Sequence, residues 1–405
     1  MKRVFLSVFL YLLVFSAFSQ NWSQKASVPG PVKETTFSFA VGGYGYVGGG
    51  QNSGGGLSGF YKYDPVADSW STLSDIPFGP FWTPGYFTIG NKGYVCCGST
   101  TGMYSNATWE FNPANNSWTQ KADFPGSGRE APMCFVIHGH AYVGGGHLGG
   151  TTNATDWYRY DPSNNTWTQI ADAPTSVKNG IGFSLAGKGY YAGGVDDNNN
   201  SMNATYQYDS TSNSWTQKSN YPASGTAGGF AFSQDGQFAV AGCGIDLSLG
   251  DAFDDFYQYD GLADQWTSMG TLGTIDGRTY ATPFIINSDL YFACGRHSGA
   301  TSFENECWES AKSILSVNTL AFSSEITIKV YPNPATSETQ VHLTSGVGIT
   351  EIRVMDMKGD MVYELRPESS SNALDIDLKS LSRGAYTIFI LDYQQNSYSR
   401  KLIIQ

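Results

Sequence analysis

Apolar and polar positions alternate with a period of two in short runs, a pattern shown well by residues 135–169. Cys134-Phe135-Val136-Ile137 reads as a first strand and His138-Gly139-His140-Ala141 as a tight turn. Tyr142-Val143-Gly144-Gly145-Gly146 reads as a second strand ending in glycines. After a polar loop, Trp157-Tyr158-Arg159-Tyr160 carries alternating aromatics and predicts a third strand. In the turn Asp161-Pro162-Ser163-Asn164-Asn165 the Asp accepts from the backbone and Pro presets φ. Trp167-Thr168-Gln169 opens a fourth strand, so one unit is four short antiparallel strands without helical periodicity.

The unit recurs. Trp22, Trp70, Trp118, Trp167, Trp215 and Trp266 stand 48, 48, 49, 48 and 51 residues apart. Phe39, Phe87, Phe135, Phe183, Phe232 and Phe284 follow them by 16 to 18 residues. The glycine step reads Gly49-Gly50, Cys97-Gly98, Gly145-Gly146, Gly193-Gly194, Gly242-Cys243 and Cys294-Gly295. Glycine at a strand end implies close passage of another backbone or a positive φ, here from crowding between adjacent sheets. A period near fifty residues is that of a radial or stacked repeat. A twisted four-stranded sheet buries both faces only against its neighbours, and the large aromatics then fill the wedges between sheets.

The diglycine after a second strand, the Tyr-Asp-Pro turn and the Trp about six residues on resemble the Kelch repeat. The resemblance covers about residues 21–310. It implies a six-bladed Kelch β-propeller, and seven short strands with turn residues between them in residues 326–405 suggest a sandwich, so an all-β chain is expected, the propeller followed by a small seven-stranded β-sandwich. Trp22 begins a fourth-type strand with no first three before it, whereas Phe284, Gly295 and Trp308 mark three strands with no fourth. Trp22–Ser27 is therefore expected to complete the sixth blade.

Lys2 and Arg3 precede the apolar run from Val4 to Phe18, and Ala17-Phe18-Ser19 offers small residues for cleavage, so residues 1–19 read as a signal peptide. Residues 20–310 are assigned to the propeller, 311–325 to a linker and 326–405 to a second domain. The formal charge is −12 and disfavours nucleic acid and anionic membranes as partners. No transmembrane segment is expected once the signal is removed. Cys96, Cys97, Cys243 and Cys294 stand where other repeats have Gly or Ala, which favours packing over pairing, and Cys294 with Cys307 is the pair a disulfide would join. No cysteine has zinc-ligand spacing, and neither a metal nor a cofactor is expected.

After Ser310 the repeat stops. Val330-Tyr331-Pro332-Asn333-Pro334, Asp356-Met357-Lys358-Gly359, Leu381-Ser382-Arg383-Gly384-Ala385-Tyr386 and the final Ser399-Arg400-Lys401-Leu402-Ile403 follow in order among short strands. They resemble the type A sorting domain of the type IX (Por) secretion system of Bacteroidota. The resemblance implies recognition by that machinery and a secreted or outer-membrane cell-surface location.

Candidate chemistry lies where the glycine end of strand two meets the start of strand one. Aligning the units on their Phe residues gives two positions expected at the channel mouth. The first reads Lys33, Phe81, Arg129, Val177, Thr226 and Arg278, and the second Glu34, Trp82, Glu130, Lys178, Ala227 and Thr279. Cations suit a carboxylate and Trp82 suits stacking, so a glycan, including an acidic sugar, or a protein partner is the expected ligand. His147, Arg296 and His297 in the loops after the glycines join the candidate site. Asp196-Asp197 lacks the spacing of an EF-hand loop. The Asn-Ala-Thr triplets at Asn106, Asn153 and Asn203 recur at the entrance to strand three, which suggests a turn role. Among enzymes of this fold, copper-dependent galactose oxidases are a poor match, because His138 and His140 fall in a turn, His342 in the second domain, and His147 and His297 on opposite blades. Similarity to six-bladed sialic-acid mutarotases implies Glu34 or Glu130 as proton shuttle and Arg129 or Arg278 as carboxylate holder. Binding is the first reading and this carbohydrate-modifying activity the alternative, with no catalytic residue assigned.

Overall fold

The structure is a computed structural model that describes residues 22–233, 238–250, 252–273, 275–297, 302–310, 328–343, 349–356, 361–367, 373–392 and 397–405. The signal peptide 1–19, the linker 311–325 and the landmark residues 357–359 lie outside the described residues. Among the described residues there are six four-stranded antiparallel sheets with one pattern. The third, for example, runs Met133–Ile137, His140–Gly144, Trp157–Asp161 and Thr166–Gln169 in sequence order. The sixth takes Thr282–Ile286, Asp289–Ala293 and Cys307–Ser310 and adds Trp22–Lys25 from the other end of the ring. Trp22 stands opposite Ser310 and Lys25 opposite Cys307, as the phase of the repeat requires.

The repeating phenylalanines hold neighbouring sheets together. All six are at most 6% exposed. Phe135 lies over the second strand of the next sheet at Gly189, where an added Cβ would fall 2.0 Å from its ring. A side chain there would push the two sheets apart, and five of the six second strands carry Gly or Ala at this point, with Leu290 in the sixth.

The Tyr-Asp-Pro turn and the repeating Trp form a clip at the outer edge. Trp167 Nε1 donates to Ala122 O at 2.9 Å, and the Ala122 N–H donates to Asn165 Oδ1 at 2.9 Å. Tyr160 Oη holds that same Asn165 oxygen at 2.9 Å. The first, fourth and fifth sheets repeat this with Trp70, Asp68 and Ala26, with Trp215, Asn213 and Ala171, and with Trp266, Asp264 and Ser219. Two clips thus use Asp and two Asn. Burial alone pushes the Asp68 carboxyl up, but the Ala26 N–H, the Tyr63 hydroxyl and Lys25 more than offset this and hold it below its usual value. Asp264 is held down in the same way, against burial, by Ser219, Tyr259 and Lys218. A carboxyl with a lowered folded pKa stabilises above the unfolded value of about 3.9, and that share is lost as pH falls through the folded value. Asp68→Asn with Asp264→Asn is therefore expected to keep the clips and to flatten the fall in Tm below about pH 4. Equal acid slopes for parent and variant would remove these carboxylates as the cause.

In the C-terminal part, a three-stranded sheet (Ile328–Tyr331, Glu338–Leu343, Ala373–Asp377) and a four-stranded sheet (Met361–Leu365, Ile349–Met355, Gly384–Asp392, Ser397–Ile404) share one apolar core. Val341, Ile376, Ile352, Ile388 and Leu402 meet there fully buried. The Tyr-Pro-Asn-Pro landmark has a physical role. Asn333 donates to Lys401 O at 2.6 Å and accepts from the Ile403 N–H at 2.9 Å, which pins the last strand.

Candidate functional site at the glycine-step face

Two rings of backbone hydrogen bonds encircle the axis at this face. In the outer ring, the N–H of the second glycine of each step donates to the first-position carbonyl of the next sheet. Gly50 donates to Phe81, Gly98 to Arg129, Gly146 to Val177, Gly194 to Thr226, Gly244 to Arg278 and Gly295 to Lys33, at 2.6–2.9 Å. At Gly146, φ is +88° and an added Cβ would fall 2.8 Å from Glu130 O, so both reasons for glycine apply there. In the fifth sheet the step is Cys243-Gly244, one residue later than the expected Gly242-Cys243. Gly242 instead ends the second strand, where an added Cβ would meet Phe256.

The inner ring, at the third position, is a closed collar. Thr83 donates to Thr35, Ala131 to Thr83, Asn179 to Ala131, Gly228 to Asn179, Tyr280 to Gly228 and Thr35 to Tyr280, at 2.7–3.2 Å. All six residues have positive φ, between 51° and 62°. The void within the collar is about 100 Å³. Beneath it the six first strands line a cavity of about 420 Å³, with no charged side chain among the described residues that line it. Tyr86 reaches across from the second sheet to the sixth, where the Thr282 hydroxyl donates to it at 3.1 Å.

The left-handed third residue sends consecutive side chains in different directions, and this corrects the expectation for the first position. Lys33, Phe81, Arg129, Val177, Thr226 and Arg278 are all at most 2% exposed, packed inside the wall. Arg129 binds Asp156 through both terminal nitrogens at 2.6 and 3.0 Å, and donates to Gly145 O and Ser127 O at 3.0 Å. Its guanidinium stacks 4.6 Å from the Phe124 ring centre. Arg278 binds Glu306 at 2.9 Å. Lys33 donates to Pro29 O at 2.8 Å and sits 4.7 Å from the Tyr61 ring centre, and burial pushes its ammonium pKa down.

The cysteines follow these cations. Cys97, Cys243 and Cys294 take the first place of the step, with φ near +60°, in the sheets that precede Arg129, Arg278 and Lys33. The steps that face Phe81, Val177 and Thr226 have Gly there. Each thiol feels the charge of its cation, but burial dominates and pushes all three up, Cys294 to about 11. All six cysteines are free thiols, and Cys294 and Cys307, the pair a disulfide would join, are not bridged. Cys307 stands opposite Ala293, one residue before Cys294.

At the second position Trp82, Glu130 and Lys178 are half-buried, whereas Glu34 is 6% exposed and Ala227 and Thr279 are fully buried. Each residue there forms an isolated antiparallel bridge to the residue after its own glycine step: Glu34 to Gln51, Trp82 to Ser99, Glu130 to His147, Lys178 to Val195, Ala227 to Ile245 and Thr279 to Arg296. Glu34 Oε2 lies 3.1 Å from Arg296 Nε, and its other oxygen is 3.5 Å from Gln51 Nε2. Burial raises the Glu34 pKa, and Arg296 and Gln51 only partly oppose this. Glu130 accepts from the Ser99 hydroxyl at 2.6 Å. Half-buried Trp82 rests against Gly56 in the hairpin of the first sheet, and Lys178 makes no ion pair among the described residues. His147 Nδ1 is 3.1 Å from Asn153 Oδ1, and its ring meets Tyr104 edge-on at 5.8 Å. His297 Nε2 pairs with Glu304 at 2.8 Å.

Tyr280, which the alignment did not single out, stands beside this cluster. Arg296 lies 5.4 Å from its ring centre, and its phenol feels both Glu34 and Glu130. An aromatic at a position otherwise held by Thr, Ala, Asn and Gly was the available signal. Asp196 and Asp197 are occupied by their own surroundings: Asp196 accepts from Asn198 and Asn200, and Asp197 from Asn153 and Ser176. The Asn106, Asn153 and Asn203 amides donate to Phe124 O, Val195 O and Ala223 O, in keeping with a turn role.

A family model described as the KLHDC2/KLHL20/DRC7 Kelch-repeats domain matches residues 7–185. A second, for the secretion system C-terminal sorting domain, matches residues 329–405. The chain is a Kelch propeller with a secretion sorting domain. Among solved structures, that of YjhT is similar at 20% identity with a TM-score of 0.60, covering 69% of this chain and 95% of that one. At that identity the likeness shows the fold alone. No curated protein matches the sequence. The sorting domain indicates export of the propeller by the type IX system to the cell surface or the extracellular space. Among the described residues no helix is long and apolar enough to cross a membrane.

Proposed function

We propose that this exported, six-bladed Kelch propeller is a binding protein that takes a glycan or protein partner at the mouth of its glycine-step face. The observation that supports this reading is the convergence of Glu34, Glu130, Tyr280 and Arg296 from three sheets over a rigid backbone collar. A pre-ordered polar site on stiff elements loses little entropy on binding. Trp82 adds an aromatic face beside it. Glu130→Gln and Trp82→Ala are each expected to weaken any ligand found on glycan or peptide arrays by about tenfold or more, Glu130→Gln with little change in Tm and Trp82→Ala with a lower Tm but the propeller still folded at the assay temperature. A ligand whose affinity neither variant alters places recognition elsewhere on the chain.

A sugar mutarotase is the second reading, favoured by Glu34, whose pKa burial raises in the direction that suits a general acid or base. Arg129 and Arg278 are occupied by Asp156 and Glu306, so Arg296 is the guanidinium placed to meet a substrate carboxylate. Anomer-exchange NMR on a bound sugar separates the readings: exchange abolished by Glu34→Gln supports the enzyme, and binding without exchange supports the binding protein.

A further inference from the structure

The wall of the propeller has consumed the positive charge that the sequence offered to the mouth. Lys33, Arg129 and Arg278 are buried, the two arginines each against a carboxylate. In the described loops between second and third strands, Arg296 is the sole Lys or Arg and is itself bound to Glu34; of the seven carboxylates there, Asp156 and Glu306 are taken by the buried arginines, which leaves five. Lys178 is the other cation at the mouth. The accessible face is therefore acidic, on a chain of net charge −12. Such a face repels anions and raises the local concentration of cations.

A second, independent feature lies in the same loops. Apolar side chains stand exposed on them, Met103 at 69%, Leu249 at 63% and Leu247 at 40%, and Val32 at 41% joins them from the segment that leads into the first sheet. They come from the second, fifth and first sheets. A ring of hydroxyls gains little from aliphatic tips, whereas the side chains of a peptide bury against them.

We infer that the mouth receives a basic, partly aliphatic segment of a partner protein, with a lysine or arginine side chain set against Glu130, beside Glu34 and its partner Arg296, and apolar neighbours against the loop tips. This rests on the reading of the mouth as a binding site and names what occupies it. Glu130 is the more open of the two carboxylates, and Ser99 holds one of its oxygens in place. The Tyr280 phenol lies in the field of both carboxylates, and its ring carries Arg296 at 5.4 Å.

The test uses the full exported chain with immobilised synthetic peptides of one length. One set carries Lys or Arg with Leu or Val, one has Glu in place of the cations, and one has Ser in place of the aliphatics; sialylated and neutral glycans are probed alongside. The basic aliphatic set is expected to be retained and to be released as salt rises. Glu130→Gln should weaken that retention about tenfold or more, and Met103→Ser with Leu249→Ser should weaken it to a lesser degree. Preference for acidic peptides or sialylated glycans overturns the inference, as does retention of basic peptides that Glu130→Gln leaves unchanged. A neutral glycan bound and then lost in Trp82→Ala overturns it while leaving the mouth as the binding site. If no retained probe is sensitive to either Trp82→Ala or Glu130→Gln, the binding-site reading falls with it.

Discussion

Removal of residues 22–28 is expected to abolish cooperative folding of the whole propeller rather than to fray one edge. The segment is short but touches three sheets. Trp22–Lys25 supplies the outer strand of the sixth sheet. The Trp22 ring meets Phe292 in that sheet at 4.9 Å, and Phe256 and Phe232 in the fifth at 5.8 and 6.4 Å. Ala26 carries the clip to Asp68 and Trp70 of the first sheet, and fully buried Val28 donates from its N–H to Asn305 O at 2.7 Å. Each sheet of a ring is stable only against both neighbours, so a lost junction is felt around the circle. Trp22→Ala alone should cost about 3 kcal/mol by lost packing, the low end for such a change because the ring is half-buried. At roughly 2–4 °C per kcal/mol, Tm falls by roughly 6–12 °C. Thermal melts followed by near-UV circular dichroism check both variants. A truncated chain that melts cooperatively at the parent temperature would refute closure by this strand.

Arg129→Ala should be the most damaging single substitution near the candidate site, and for a structural reason. It leaves the Asp156 carboxylate, the Gly145 carbonyl and the Phe124 ring without the group that joined them. Breaking a buried pair from one side costs about 3–5 kcal/mol, whereas replacing both partners by apolar residues is often near neutral. Arg129→Met with Asp156→Leu is therefore expected to recover most of the lost Tm and to retain the mouth's ligand. If Arg129 itself bound ligand, the double variant would regain stability without regaining affinity. A double-mutant cycle that reads both quantities decides between these roles.

The repeat, the strand order and the closing strand were legible because packing writes them into the chain as a period. Trp and Phe must recur where sheets meet, and glycine where a Phe ring or a neighbouring carbonyl leaves no room for a Cβ. Side-chain direction at the mouth was not legible in the same way. An alignment places Lys33, Glu34 and Thr35 in series, but not the positive φ at Thr35 that turns the chain and sends Lys33 into the wall. A partial signal existed. Arg129 and Arg278 each have a carboxylate just before their own third strand, Asp156 and Glu306, where the units of Phe81 and Val177 have Ala107 and Ala204. Paired deviations of this kind mark a buried ion pair better than either residue does alone. The shifted step at Cys243-Gly244 was hidden because Gly242 satisfies the pattern equally well until the hydrogen bond from Gly244 to Arg278 fixes the register.

The collar also indexes the sheets against one another. Each of its six bonds needs the neighbouring sheet at one height along the axis, so a sheet that slid along the axis would break two of them at once. Because the bonds run through backbone groups, the side chains at this position can differ, and Thr, Ala, Asn, Gly and Tyr all occur there. The floor of the mouth is thus held by the main chain alone, whatever side chains each sheet carries above it.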